Sequence, residues 1–140
     1  MEFMSMEQVK NVVSTLSLWD DGFFSKCMDG STECASLMLS VILGRDDLTV
    51  ESASAQKWLQ SVEEHSAKLD VLAHDREGNA YDIEMQKDEK GAGRKRARYY
   101  SAMMDADALG KGKEFEELPE SFVIFITPGD AIGKDQALYE

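Results

Sequence analysis

Between Lys68 and Gln86 the chain reads KLDVLAHDREGNAYDIEMQ, and apolar and polar residues alternate on both sides of a short break. That period-2 pattern predicts two strands, Lys68–Asp75 and Asn79–Gln86. Arg76-Glu77-Gly78 joins them as a three-residue hairpin loop, with Gly78 in the left-handed conformation such loops need. In this register Asp70 lies opposite Glu84 and Lys68 faces Gln86. One face then carries Leu69, Val71, Ala73, Tyr81, Ile83 and Met85, and the other carries Asp70, His74, Asp82, Glu84 and Gln86.

The remaining elements follow from the same kind of pattern. Glu7–Leu18 is a marginal helix with Val9, Val12, Val13 and Leu16 on one side, and Trp19–Phe24 is a turn flanked by large aromatics that pack on the core. Asp29-Gly30-Ser31-Thr32 is a turn and N-cap signal ahead of Ala35, Met38, Leu39 and Ile42 at helical spacing, which predicts a helix over Thr32–Leu43. Leu48–Gln56 is a weakly patterned strand. Lys57–Ala67 is ambiguous between an irregular or helix-like excursion and an extension of the sheet, and His65 within it reads as a surface residue. Lys87–Gly93 has the charged, Gly-rich composition of a mobile loop. Arg94–Leu109 is a helix packing through Ala97, Tyr100, Met104 and Ala108, and it ends at Gly110. Glu120–Thr127 (ESFVIFIT), the most apolar run, suits a central strand buried on both faces. Pro128-Gly129-Asp130 closes it, and Ala131–Glu140 is a short tail.

Composition narrows the classes. A chain of 140 residues, 43% hydrophobic, suits one domain, 1–140, with a small core behind an N-terminal lead at 1–17. Its net charge of −12 argues against a general nucleic-acid coat protein, whose affinity comes from neutralising phosphates, but leaves room for a locally basic site. Cys27 and Cys34 lack metal-ligand spacing and a secretory context, so they read as reduced thiols of a cytoplasmic protein. Nothing in their spacing makes a nucleophilic pair with His65 or His74. No signal peptide precedes the domain, and no apolar run approaches the roughly 18 residues of a membrane span.

Two features carry chemistry. Carboxylates directly across a ladder have Cβ atoms about 5 Å apart, and like charges so placed destabilise a sheet. A divalent cation offsets this, and Mg²⁺ or Mn²⁺ takes one or two carboxylates plus neutral oxygens and water, which Asp70, Glu84 and the Gln86 amide can supply. The alternative is a solvated outer face whose carboxylates stay in water. The second feature is four cations in five residues, Arg94, Lys95, Arg96 and Arg98, a local reversal in an acidic chain. Arg94 and Arg98 share a helix face one turn apart. They either pair with acidic neighbours, which contributes little, or clamp phosphate with Arg as a bidentate donor.

The element order, an Asp on the second strand, Glu84-Met85-Gln86 ending the third and Arg96–Tyr100 (RARYY) on the next helix resemble the PD-(D/E)xK nuclease superfamily. LDVLAHDREGNAYDIEMQ, RARYYSAMM and the VIFIT strand together resemble the PD-(D/E)xK nuclease family transposases, the recombination-promoting nucleases, over roughly Leu18 to Tyr139. The resemblance implies an α/β fold with a restriction-endonuclease-like core, in helix-strand-strand-strand-helix-strand order, and a mixed central sheet flanked by helices. It implies a bacterial, Mg²⁺-dependent DNA endonuclease in which Asp70 and Glu84 hold the metal, with Glu33 as a first-helix acid. Gln86 stands where most of the superfamily has a lysine; an amide can position a water but cannot act as a base. Lys68, facing Gln86, is a candidate to replace that charge, and Arg94, Arg98 and Tyr99 are candidates to hold the DNA backbone. Cutting both strands with one site per chain points to a homodimer. Compared with the resembled proteins the chain is C-terminally short. That shortness, the acidic charge and the missing lysine support an alternative, an inactive remnant that binds DNA or a protein. Integration by a transposase mechanism has no second catalytic domain to support it.

Overall fold

The computed structural model describes Glu7, residues 17–59 and 66–136, and Leu138. The helix expected over Glu7–Leu18, apart from its ends, and His65 lie outside the described residues. Two helices, α1 (Asp21–Met28) and α2 (Thr32–Leu43), precede three strands, β1 (Val50–Leu59), β2 (Ala67–Asp75) and β3 (Ala80–Met85); helix α3 (Arg94–Ala108) and strand β4 (Ser121–Ile126) follow. The sheet order is β1-β2-β3-β4, antiparallel through β3, with β4 parallel to β3. A parallel pair needs a crossover, and α3 provides it. Among the described residues no helix is long and apolar enough to cross a membrane.

The hairpin forms in the expected register: Val71 pairs with Ile83, Ala73 with Tyr81 and His74 with Ala80. Gly78 adopts φ +86°, the conformation the loop requires. Helix α2 also spans its expected residues. The Ser31 side chain accepts from the Cys34 N–H at its start, and Gly44, at φ +62°, ends it.

Two expectations are corrected, and two segments are refined. The turn ahead of the core aromatics ends at Trp19 and Asp20, and Asp21–Phe24 are already helix, with Asp20 capping α1 by accepting from the Phe23 N–H at 2.8 Å. The helix continues so as to bury Phe24 and Met28, each side chain contributing about 2 kcal/mol by leaving water. β4 is an edge strand rather than a central one. Nor is it buried on both faces: all six residues are only half-buried, Phe122, Ile124 and Ile126 packing against the main core and Val123 against the cluster that holds Met103 and Met104 of α3. Lys57–Leu59 ends β1, so this part of the ambiguous segment belongs to the sheet. The segment between β3 and α3 is not merely a loop: Glu89–Gly91 forms a 3-10 turn.

The apolar face of the hairpin is also not continuous. Val71, Ala73, Tyr81, Ile83 and Met85 lie in the core beneath α1 and α2, but Leu69 packs with Leu59, Ala67, Leu72 and Ala80 in the second cluster, beneath α3. The switch falls where Asp70 would face Gln56 of β1. Gln56 has φ +54°, a left-handed backbone inside a strand, and alternation of faces does not survive it.

Candidate active site

Asp70 and Glu84 meet where the β2–β3 ladder opens. The Asp70 N–H donates to Glu84 Oε1 at 2.8 Å, and the Met85 N–H donates to Asp70 Oδ2 at 3.0 Å. Each carboxylate therefore accepts a backbone N–H of the opposite strand, a charge-assisted exchange that offsets part of the repulsion between them. Arg96, from the first turn of α3, completes the arrangement with Nη2 at 2.9 Å from Glu84 Oε2. Glu84 is 1% exposed, so this ion pair is desolvated and tied to a fixed geometry.

The face opposite the main core is thus not a solvated acidic surface. Glu84 and Asp82 are buried in it, and neither Asp82 carboxyl oxygen has a hydrogen-bond partner among the described residues. Burial first, and then the Glu84 carboxylate two residues on, push the Asp82 carboxyl up to about 9. Burial likewise raises Glu84, with the nearby Asp70 charge adding to it and the Asp70 N–H and Arg96 opposing it. Asp70 is raised by burial and by the Asp21 charge, against the Met85 N–H, Arg96 and Lys68. Three carboxyls biased toward the neutral form within one short stretch form an environment that gains from added positive charge.

Asp70 also borders a cavity of about 410 Å³, lined with it by Asp21, Gly22, Ser25, Gln56 and Lys68. Gln56 Nε2 donates to Ser25 Oγ at 3.3 Å across this space. Among the described residues no three His, Cys, Asp or Glu side chains converge as a ready-made metal cage. The oxygens on the cavity are the carboxylates of Asp70 and Asp21 and the neutral oxygens of Ser25 and Gln56, with Glu84 hydrogen-bonded to the Asp70 N–H behind them, a set that would suit a cation keeping much of its own water. Mg²⁺ is bound in this way, and a site needing four protein ligands is not.

The residues singled out from sequence divide into three groups. Asp70, Glu84 and Gln86 come together, with Gln86 held by Arg96 Nη1 at 2.9 Å. Lys68 lines the cavity beside Asp70, and its Nζ lies 5.7 Å from the centre of the Trp58 ring. Arg94, Arg98 and Tyr99 are exposed on α3, and Glu33 is exposed at the start of α2; none of the four lines the cavity. The helix acid beside Asp70 is Asp21 of α1.

Sequence reasoning missed Arg96, Asp21 and Gln56 as site residues. Arg96 was discoverable, because it stands one turn before Tyr100, already assigned to the inward face of the helix. Asp21 was hidden by the reading of α1 as a turn. Gln56 carries no signal, since neither its type nor its neighbours announce a left-handed backbone.

A four-stranded mixed sheet flanked by helices, with an Asp and a Glu on adjacent strands at the end of a hairpin, defines an α/β protein with a PD-(D/E)xK nuclease-like core. Residues 39–139 match the family described as PD-(D/E)XK nuclease family transposase, and the chain belongs to that family. The match spans β1 to β4 and includes Asp70, Glu84, Gln86 and Arg96; Asp21 and Glu33 lie outside it. No curated protein and no solved structure matches the chain.

Proposed function

We propose that this protein is a metal-dependent DNA endonuclease that hydrolyses phosphodiester bonds. The observation that carries the reading is the reciprocal Asp70–Glu84 exchange beside an oxygen-lined cavity, in a chain of the PD-(D/E)XK nuclease family. Asp70 and Glu84 would hold Mg²⁺ or Mn²⁺, with Asp21 adding an acid from the cavity wall; Glu33, expected in that role, is exposed and does not line the cavity. When bound, the metal supplies a lowered pKa for a coordinated water and positive charge for the scissile phosphate.

The chain's own residues do the rest. The backbone N–H groups of Asp70 and Met85 fix the two carboxylates. Lys68, on the cavity rim, provides a cation for a phosphate oxygen, and Arg94, Arg98 and Tyr99 hold the flanking backbone from the outer face of α3. Two copies as a homodimer would serve the two strands of a bacterial, cytoplasmic DNA substrate.

One observation favours a second reading, a non-catalytic DNA- or protein-binding module. Glu84 has both oxygens engaged by partners within the chain: Oε1 by the Asp70 N–H, and Oε2 by Arg96 with the Gln86 amide at 3.5 Å. Cleavage of supercoiled plasmid by the purified chain separates the two. The endonuclease nicks and linearises plasmid with Mg²⁺ or Mn²⁺, stops in EDTA, and loses at least about a hundredfold of its rate in Asp70→Ala. A folded protein indifferent to metal and to Asp70→Ala is the binding module.

A further inference from the structure

We propose that Arg96 is a positioning residue that sets the Gln86 amide with its N–H group toward the carboxylates, so that Gln86 acts there only as a hydrogen-bond donor to an anionic oxygen. This rests on the endonuclease reading for its consequence, though not for its geometry. Arg96 Nη1 donates to Gln86 Oε1 at 2.9 Å and to the Gly91 carbonyl at 3.1 Å, while Nη2 donates to Glu84 Oε2 at 2.9 Å and to the Tyr100 hydroxyl at 3.1 Å. The guanidinium also lies over the Tyr100 and Phe125 rings, 4.9 and 5.3 Å from their centres. With four acceptors and two ring faces around it, the plane of the guanidinium is fixed.

A guanidinium has donors and no acceptor, so the amide atom that meets it must be the oxygen. The amide nitrogen is then turned the other way, 3.5 Å from Glu84 Oε2. In this orientation Gln86 cannot accept a proton from water, and it offers an N–H to whatever oxygen occupies the space by the carboxylates. A non-bridging phosphate oxygen or the lone pair of a bound water has the required chemistry.

Gly91 makes the second half of the device. A Cβ at this position would land on Gln86 Oε1 and come within 3.4 Å of Arg96 Nη1. Gly91 is not among the glycines with positive φ, so what its missing side chain gives is space and not a turn conformation. The 3-10 turn before α3 thus closes against the amide, and a Gly91→Ala change must push the amide aside. Because the group displaced is the end of a flexible side chain, the fold itself bears little of that cost.

The experiment compares wild type with Gly91→Ala, Gln86→Ala, Gln86→Glu, Arg96→Lys and the Gly91→Ala/Gln86→Ala double variant. The side-chain NH₂ resonances of Gln86 are followed by ¹⁵N–¹H NMR in EDTA, and plasmid cleavage is measured in Mg²⁺. In Gly91→Ala and Arg96→Lys the Gln86 resonances move toward those of a solvent-exposed amide. Cleavage falls by about tenfold to a hundredfold in Gly91→Ala, and the double variant is no slower than Gln86→Ala alone. Gln86→Glu keeps an acceptor for Arg96 but has no donor, and it loses as much cleavage as Gln86→Ala. Unmoved Gln86 resonances in Gly91→Ala, an undiminished Gly91→Ala cost in the Gln86→Ala background, or full cleavage by Gln86→Glu would each overturn the proposal. Wild type that does not cleave removes the endonuclease reading, while the resonances alone still decide whether Arg96 and Gly91 orient the amide.

Discussion

The β2–β3 hairpin carries buried carboxyls at both ends, and they are treated in opposite ways. At the loop end Asp75 accepts from the Tyr81 hydroxyl at 2.8 Å, the Asn79 N–H at 2.9 Å, the Asn79 side-chain amide at 3.0 Å and the Glu77 N–H at 3.0 Å. Burial alone would raise this carboxyl, but these four donors hold it below the usual range. At the open end Asp70, Glu84 and Asp82 are all raised, and Asp82 has no partner among the described residues. The carboxylate that closes the loop is saturated with donors, whereas three raised acids at the other end have one ion-paired cation, Arg96 on Glu84. On the proposed reading the open end is the place that gains from a cation, and the loop end is scaffold.

The strongest way to break that contrast is to remove each acid in turn in metal-free buffer. Asp75→Ala strands the Tyr81 hydroxyl and the loop N–H groups, and it costs about 3 kcal/mol in urea unfolding. Asp70→Ala, by contrast, relieves repulsion and costs less than about 1 kcal/mol. Equal losses would mean that the two ends are not different in kind.

A smaller effect, of opposite sign, is expected at Asp82. Its folded pKa lies far above that of an unfolded aspartate, so between the ordinary aspartate range and about 9 the folded state binds more protons, and stability falls as pH rises. Asp82→Asn removes that slope and stabilises the metal-free protein at pH 8 by about 1–2 kcal/mol, or roughly 3–6 °C in thermal midpoint. A variant less stable than wild type at pH 8 would show that Asp82 is satisfied after all. Asp75 has the reverse linkage: its lowered pKa gives stability that is present above the ordinary aspartate pKa and is lost as pH falls through the folded value.

Tyr81→Phe sharpens the loop end. The hydroxyl, pushed up to about 12 by burial and by its bond to Asp75, is lost while the ring keeps its 5.0 Å stacking on Phe122. The cost is about 1 kcal/mol, and ¹³C NMR titration finds the Asp75 pKa shifted upward. Smallest of all, Glu33→Gln changes stability by less than about 0.5 kcal/mol and leaves Mn²⁺ affinity unaltered, while Asp21→Asn weakens that affinity in calorimetry.

Local rules carried much of this fold. The hairpin register was legible because a pattern of alternation, broken at Leu72, and one obligatory glycine leave few choices, and the same holds for α2, bounded by Ser31 and Gly44. The Asp70–Glu84 neighbourhood followed from that register alone. What was not legible depends on residues distant in sequence. The burial of Asp82 and Glu84 requires α3 to lie over the polar face, and the face switch at Asp70 requires the unusual backbone of Gln56 on the neighbouring strand. β4 reads as central because its run is apolar throughout, and an apolar run does not record how many hydrogen-bonded neighbours a strand has or how fully it is covered. Helix α1, at eight residues, is too short for periodicity to outweigh the turn signal of Asp20-Asp21-Gly22.

The most direct test adds substoichiometric Mn²⁺ to ¹⁵N-labelled protein and asks which amide resonances broaden, since the paramagnetic ion acts only on nearby nuclei. Broadening is expected at Asp70, Glu84, Met85 and Asp21, and it disappears in Asp70→Ala, while Asp75, Glu77 and Asn79 stay sharp. Broadening centred on the Asp75 loop, or none at the open end at any Mn²⁺ concentration that leaves the protein folded, would contradict the assignment of Asp70 and Glu84 as the metal end of the hairpin.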